Sequence, residues 1–278
     1  MLIAEHIHVR RGRRLILRDL SVQLRAGQVV GILGANGAGK STLLAALAGE
    51  LAPEQGQISL LGQPLSHWPA AAQARHRAVL PQNPSLQFDL PVATVIGMGA
   101  YPHAAGAPPG AMEDARVLQR VLDLADVHHL HDRRYRALSG GEQQRVQFAR
   151  VLYQLLLARP AGDYRVLLLD EPTASLDPRH QLLLLHAVRR LARDEDIAAC
   201  VILHDVNLAA GACDHLLLLA DGSGAASGPP AQVLTPSVLN QVYGVPATIL
   251  PHPHQPDRPL VVFSAPACPA HAGGRVRS

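Results

Sequence analysis

Val29-Val30-Gly31-Ile32-Leu33-Gly34-Ala35-Asn36-Gly37-Ala38-Gly39-Lys40-Ser41 is the stretch on which the reading of this chain turns. Val29 to Leu33 is a short apolar run of the kind buried on both faces of a parallel sheet, and Lys40 to Gly49 reads as a helix. Between them, Gly34 to Ser41 fits the pattern GxxxxGK[ST], in the order strand, loop, helix that the pattern requires. Glycines free the backbone to curl until its amide N–H groups point inward at a phosphate. The N-terminus of the following helix adds partial positive charge there. Lys40 brings a full charge to the β- and γ-phosphate oxygens, and Ser41 a hydroxyl for Mg²⁺. Kinases, GTPases and motor ATPases all use such a loop, so the remainder of the chain must discriminate.

Downstream, Val166-Leu167-Leu168-Leu169-Asp170-Glu171 is a strand that buries its body and delivers two acids at its C-terminal tip, where α/β folds bind ligands. Asp170 is suited to hold Mg²⁺, and Glu171, one step on, to polarise an attacking water. Pro172 stops the strand, and Thr173 to Asp177 form a loop that brings Ser175 and Asp177 beside the site before Pro178 opens a helix. A further buried strand is expected at Ala199–Leu203, after the helical Arg179–Arg193. Upstream, Leu2–Val9, Leu15–Leu17 and Leu20–Leu24 partly alternate and predict antiparallel strands around a basic turn at Gly12. From Gln82 to Tyr164 helical periodicity dominates, over Glu113–His131 and Gln143–Ala158, so a helical insertion of about 85–160 splits the sheet core. After about Thr248 the chain turns Pro-rich and polar, with Pro251-His252-Pro253-His254, and 248–278 is expected to be a loosely held tail.

With 278 residues and 48% hydrophobic content, the chain can bury a large core, and 3% aromatic with 17% charged residues favours aliphatic α/β packing. The formal charge of +3 is scattered rather than gathered into a run, which argues against nucleic acid as a partner. No apolar run is long enough to span a bilayer, and Met1–Arg14 has no apolar core of a secretory signal, so a cytosolic location is expected. Cys200, Cys213 and Cys268 lie far apart and suggest neither a zinc site nor a disulfide framework.

Leu138-Ser139-Gly140-Gly141-Glu142-Gln143-Gln144-Arg145 resembles, letter for letter, the signature of ATP-binding-cassette ATPases. Ser139 and the paired glycines would open a helix whose hydroxyl and free N–H groups can meet a γ-phosphate. The resemblance covers Leu2 to about Val245 and implies an α/β fold: a P-loop NTPase (RecA-like) core with an antiparallel β subdomain and an inserted α-helical subdomain, spanning 1–247. It implies that Gly34, Ala35, Asn36, Gly37, Ala38, Gly39, Lys40, Ser41 and Thr42 bind ATP and that Ser41, Gln82 and Asp170 serve Mg²⁺. By the same resemblance Glu171 and His204 are catalytic, the histidine orienting the γ-phosphate and attacking water. Ser139, Gly140, Gly141 and Glu142 are expected to meet the ATP of the other protomer of a head-to-tail homodimer, with Ser175 and Asp177 in the dimer-contact loop. Where many members carry an adenine-stacking tyrosine, this chain has Arg10-Arg11-Gly12; Arg11 is either a guanidinium stacked on the base or a solvated turn arginine.

Arg77-Ala78-Val79-Leu80-Pro81-Gln82, Val95-Ile96-Gly97-Met98-Gly99 and Tyr101-Pro102-His103 look like the ATPases of bacterial importers for iron siderophores, haem and cobalamin. Ala149–Leu155 and Thr173–Gln181 resemble haem (hemin) import ATPases most. That resemblance implies transmembrane permease subunits as partners, a periplasmic haem-binding protein as an indirect one, and residence at the cytoplasmic face of the bacterial inner membrane. Ferric-siderophore or cobalamin import is the alternative cargo. A soluble cassette ATPase of DNA repair or ribosomes would need long heptad arms or a second cassette, and a small-molecule kinase would not explain Leu138–Arg145.

Overall fold

The computed structural model describes residues 1–82, 86, 88–103, 114–160 and 162–265. The chain opens with β1 (Leu2–Arg11) and β2 (Arg14–Leu24), then β3 (Val29–Gly34), α1 (Lys40–Leu47), β4 (Gln55–Leu60) and β5 (Gln63–Pro64). Next come α2 (Ala70–His76), β6 (Arg77–Leu80), α3 (Val92–Gly97), α4 (Ala115–Leu124) and α5 (Gly140–Leu156). The second half holds β7 (Val166–Asp170), α6 (Pro178–Glu195), β8 (Ala198–Ile202), α7 (Val206–Ala212), β9 (His215–Ala220) and β10 (Ser223–Gly228). It closes with α8 (Pro230–Val233), α9 (Pro236–Tyr243), β11 (Ala247–His252) and β12 (Gln255–Phe263).

The central sheet runs β10-β9-β3-β8-β7-β6, parallel throughout except for β10 at one edge. Its inner strands β3, β8 and β7 are buried along their whole length and apolar up to Asp170 because both faces are covered, and the period of two along each strand sorts the side chains into two cores. Val29 and Leu33 of β3, Leu167 and Leu169 of β7, and Val201 of β8 face the core built with α5, α6 and the inserted helices. Val30 and Ile32, Val166 and Leu168, and Cys200 and Ile202 face the other core, shared with α1 and the sheet β2-β1-β4-β5. Helix α1 is thereby held between an antiparallel and a parallel sheet, which fixes the direction in which its N-terminus points.

The phenol of Tyr164 stitches the two sheets together: it accepts from Leu2 N (2.9 Å) and donates to Leu24 O (2.7 Å), just before β7 begins. Burial pushes its pKa up. Replacing Tyr164 with Phe should leave that N–H and that carbonyl without their partner and cost about 1–3 kcal/mol. Urea unfolding is the measurement, and an unchanged midpoint would show the bridge to be dispensable.

Two expectations need correction. Instead of a loose tail after 248, β11 and β12 pair as an antiparallel hairpin, with Ala247 opposite Phe263. The proline content misled because Pro251 faces Pro259 in a two-stranded ribbon, where each strand is an edge and a missing N–H is tolerated. Tertiary bonds hold the hairpin down. The Asn207 carboxamide donates to Val261 O (3.0 Å) and accepts from Val261 N (2.7 Å), and Arg258 donates to the Ala210 and Cys213 carbonyls. Residues 266–278, with Cys268, lie outside the described residues. The second correction concerns the helix expected over Glu113–His131: it ends at Leu124, with a single 3-10 turn following at His128–Leu130, and Glu113 lies outside the described residues.

Candidate nucleotide site

At the C-terminal edge of the parallel strands an open cavity of ≈ 520 Å³ is lined by Asn36, Gly37, Gly39, Lys40, Ser41 and Thr42 of the glycine loop, by Gln82, Glu171 and His204, and by Arg14 and Ile16. The loop needs its glycines for shape. Gly39 sits at φ +100 with a Cβ position 2.7 Å from Leu17 Cδ2, and Gly34 at φ +154 with one 2.6 Å from Leu219 O, so a side chain at either would strain the backbone and collide. Gly34 and Ala35 contribute carbonyls, while Ala38 turns inward and is buried in the core below.

Lys40 is almost fully covered, and its Nζ donates to Gly34 O (2.8 Å) and Ala35 O (3.0 Å). Burial pushes its pKa down, against the attraction of Glu171 and Asp170. The ammonium therefore sits coiled inside its own loop, a desolvated cation held by neutral carbonyls and favouring an anion brought to it. Ser41, in the first turn of α1, donates its Oγ to Asp170 Oδ1 (3.3 Å). Burial raises the Asp170 carboxyl above the usual range, more than the Ser41 hydrogen bond lowers it.

Glu171 follows at the strand's end with φ 49, a left-handed conformation uncommon for a residue with a side chain, and it is itself buried. Both of its oxygens are engaged: Oε1 lies 2.6 Å from His204 Nε2, and Oε2 accepts from Gln82 Nε2 at 2.6 Å. Three residues 89 and 33 positions apart in sequence from one another thus meet on one carboxylate, leaving one lone pair on each oxygen for a water.

His204 follows the end of β8 by two residues and stands immediately before Asp205, which caps α7 by accepting from Asn207 N (2.7 Å) and Leu208 N (2.9 Å). That cap anchors the histidine's backbone. Replacing Asp205 with Ala should cost about 1 kcal/mol of stability, read as a lowered denaturation midpoint.

The Ser139 segment stands elsewhere. Ser139 caps α5 in a reciprocal box: Glu142 N donates to its Oγ (3.3 Å), and its own N–H donates to Glu142 Oε2 (2.8 Å), which holds the Glu142 carboxyl below its ordinary range. Neither Ser139 nor Gly140, Gly141 or Glu142 lines the cavity of its own chain. A Cβ on Gly141 would lie 2.9 Å from Ser175 O, so the start of α5 packs on the Thr173–Asp177 loop. Asp177 caps α6, accepting from His180 N (3.0 Å), with His180 Nδ1 at 2.6 Å from its other oxygen.

Arg11 does not line the cavity; Arg14 and Ile16 do. The antiparallel register pairs Arg11 with Arg14 across the turn and carries the chain back along β2 to the glycine loop. Reading β2 from its true start would have found them, since Arg14 and Ile16 fall on one face of a strand.

A phosphate cradle with a buried lysine, a hydroxyl beside a carboxylate, and a second carboxylate held by an imidazole and an amide can bind a nucleoside triphosphate and deprotonate a water. Known proteins agree. The family model described as ABC transporter matches residues 17–174. The hemin import ATP-binding protein HmuV of Bordetella avium is 55% identical over 260 residues, covering 94% of this chain and 98% of its own. Its counterpart in Pseudomonas entomophila is 49% identical over 262 residues, covering 94% and 99%. Among solved structures, cbiO1 of Clostridium perfringens, part of the ABC transporter complex cbiONQ, has a TM-score of 0.71 at 25% identity, covering 87% of this chain and 95% of its own.

Proposed function

Since this chain belongs to the ABC transporter family, we propose that it is the ATP-binding and hydrolysing subunit of a haem importer, in which ATP turnover drives haem uptake across the inner membrane. The observation that carries the chemistry is the Glu171 carboxylate, 2.6 Å from both His204 and Gln82 at the mouth of the phosphate loop. The cargo rests on the hemin import proteins of Bordetella and Pseudomonas, whose likeness extends over nearly the whole chain.

In this reading the triphosphate lies along Gly34–Thr42, with the Lys40 ammonium turned from its loop carbonyls toward the phosphate oxygens. Ser41, Asp170 and Gln82 offer the oxygen donors that Mg²⁺ requires, and the ion would neutralise charge on the β- and γ-phosphates. Glu171 takes a proton from the attacking water through a free lone pair, while His204 holds that carboxylate in place and presents its ring to the γ-phosphate. Arg14 and Ile16 are positioned to flank the base, one of the two roles open to Arg11 in the sequence.

The Ser139 N-terminus of α5 lies outside its own cavity, so it can reach a nucleotide only in a second copy. This supports a head-to-tail homodimer that closes on two ATP molecules, with Ser175 and Asp177 at the contact. No helix among the described residues is long and apolar enough to cross a membrane, so transport requires separate permease subunits, which would hold this chain at the cytoplasmic face. A periplasmic haem-binding protein completes the proposed assembly.

The test is ATPase activity of the chain co-purified with its permease in lipid, with and without a haem-loaded binding protein. Stimulation by haem is expected. Stimulation only by a ferric siderophore or a cobalamin would keep the motor and overturn the cargo.

A further inference from the structure

On the side of α7 away from the sheet, α6 and the β11–β12 hairpin leave between them a cavity of ≈ 790 Å³, larger than the nucleotide site and separate from it. Its size is that of a small-molecule site rather than a packing defect. Leu182, Leu183 and Leu208 with Leu260 give it apolar walls, and Leu182 is 61% exposed although it sits on a helix with a large buried face. Its charged lining is mainly cationic. Arg179, Arg189 and Arg258 reach it, Arg189 and Arg258 each donating through Nη1 to backbone carbonyls, of Gly211 and of Ala210 and Cys213, while the acid among the lining residues, Asp205, caps α7. Burial, and then the positive charges of Arg193 and Arg258, push the Arg189 pKa down, so an anion placed between Arg189 and Arg258 would relieve them.

Two imidazoles complete the lining: His186 from α6 and His252 from β11. His252 Nδ1 already accepts from His254 N (3.2 Å), whereas His186 has no hydrogen-bond partner among the described residues. No group of three or more His, Cys, Asp or Glu that could hold a bare metal ion occurs among the described residues, but a porphyrin iron asks the protein for only one or two ligands.

We propose that this cavity binds haem itself, with His186 as ligand to the iron, the leucines against the macrocycle and the arginines on the propionates, and that its occupation slows ATP turnover. The binding site stands on its own residues; its meaning as feedback by delivered cargo rests on the haem-import reading above. The route to the active site is short. The cavity is bounded by Asp205, the residue after His204, and by Arg179, two residues after the Asp177 of the contact loop. A ligand bridging α6, α7 and the hairpin would restrain the relative movement of the histidine and that loop.

The experiment has two arms. Ferric haem is titrated into the full chain, with the Soret band as readout, for the wild type, His186→Ala, Leu182→Asp and, as a control away from the cavity, His67→Ala. A saturable shift with one haem per chain is expected in the wild type and His67→Ala, lost in His186→Ala and weakened in Leu182→Asp. No shift, or unsaturable association equal in all four proteins, overturns the site. In the second arm the reconstituted importer is assayed with haem added on the ATPase side. Turnover should fall in the wild type and not in His186→Ala, whose rate without haem should match the wild type; equal inhibition of both, or of neither, overturns the feedback. Vesicle uptake of haem is measured in parallel: uptake without a site condemns this inference alone, whereas a site without uptake condemns the haem-import reading and the feedback meaning with it, and leaves the binding site standing.

Discussion

Replacing Glu171 with Gln should lower ATP turnover by about 10²- to 10⁴-fold, the usual worth of a positioned general base, while leaving nucleotide binding intact. Gln has nearly the same shape and can still accept at one oxygen, so the contact with either Gln82 or His204 persists and the strand end keeps its place. What disappears is a group basic enough to take a proton from water. Closure on ATP then goes unreversed, and the variant should accumulate as an ATP-loaded dimer. Size-exclusion chromatography with Mg-ATP, run beside a phosphate-release assay, measures both effects. A monomeric, fully active Glu171→Gln protein would sink the roles assigned to Glu171 and to the dimer together.

For Lys40→Ala the expected loss is of nucleotide affinity, by tenfold or more, since one charge-assisted contact to a phosphate is worth about 1.5–3 kcal/mol and every 1.4 kcal/mol is tenfold. Folding stability should move the other way or not at all. The ammonium is a buried cation whose direct partners are the neutral carbonyls of Gly34 and Ala35, and burial already disfavours its charged form. Removing it removes that desolvation cost together with two hydrogen bonds. Binding of a fluorescent ATP analogue and a thermal melt decide the matter. A variant that melts far earlier and binds poorly would make Lys40 a structural tether first and a phosphate ligand second.

The site residues were legible in unequal measure. Gly34–Ser41 could be read directly because the glycines, the lysine and the hydroxyl act within one turn of chain, and the strand before and helix after them are marked by apolar periodicity. Asp170 and Glu171 could be read because a wholly apolar strand that ends in acids must present them at its tip. The Ser139 motif named the family but not its own neighbourhood: nothing local says that Gly141 lies against the Ser175 carbonyl, a contact between segments more than thirty residues apart. Sequence position within the turn leaves Arg11 open between a stacked guanidinium and a solvated arginine, whereas pairing across that turn puts Arg14 and Ile16 at the cavity. The hairpin was missed because composition counts prolines without knowing which edge they occupy, and because its anchors, Asn207 and Arg258, bond to backbone some fifty residues away.

By itself, then, the sequence determined the parallel core, the phosphate loop, the strand-end acids and the family, because each is written in side chains whose chemistry acts along the chain within a few residues. The tertiary structure alone decided that Gln82, Glu171 and His204 share one carboxylate, that the last strands fold back on α7, and that a cationic, leucine-walled cavity opens between them. Those arrangements depend on sheet order and on packing between distant segments, where side chains meet because β6, β7 and β8 lie side by side rather than because they are neighbours in the chain.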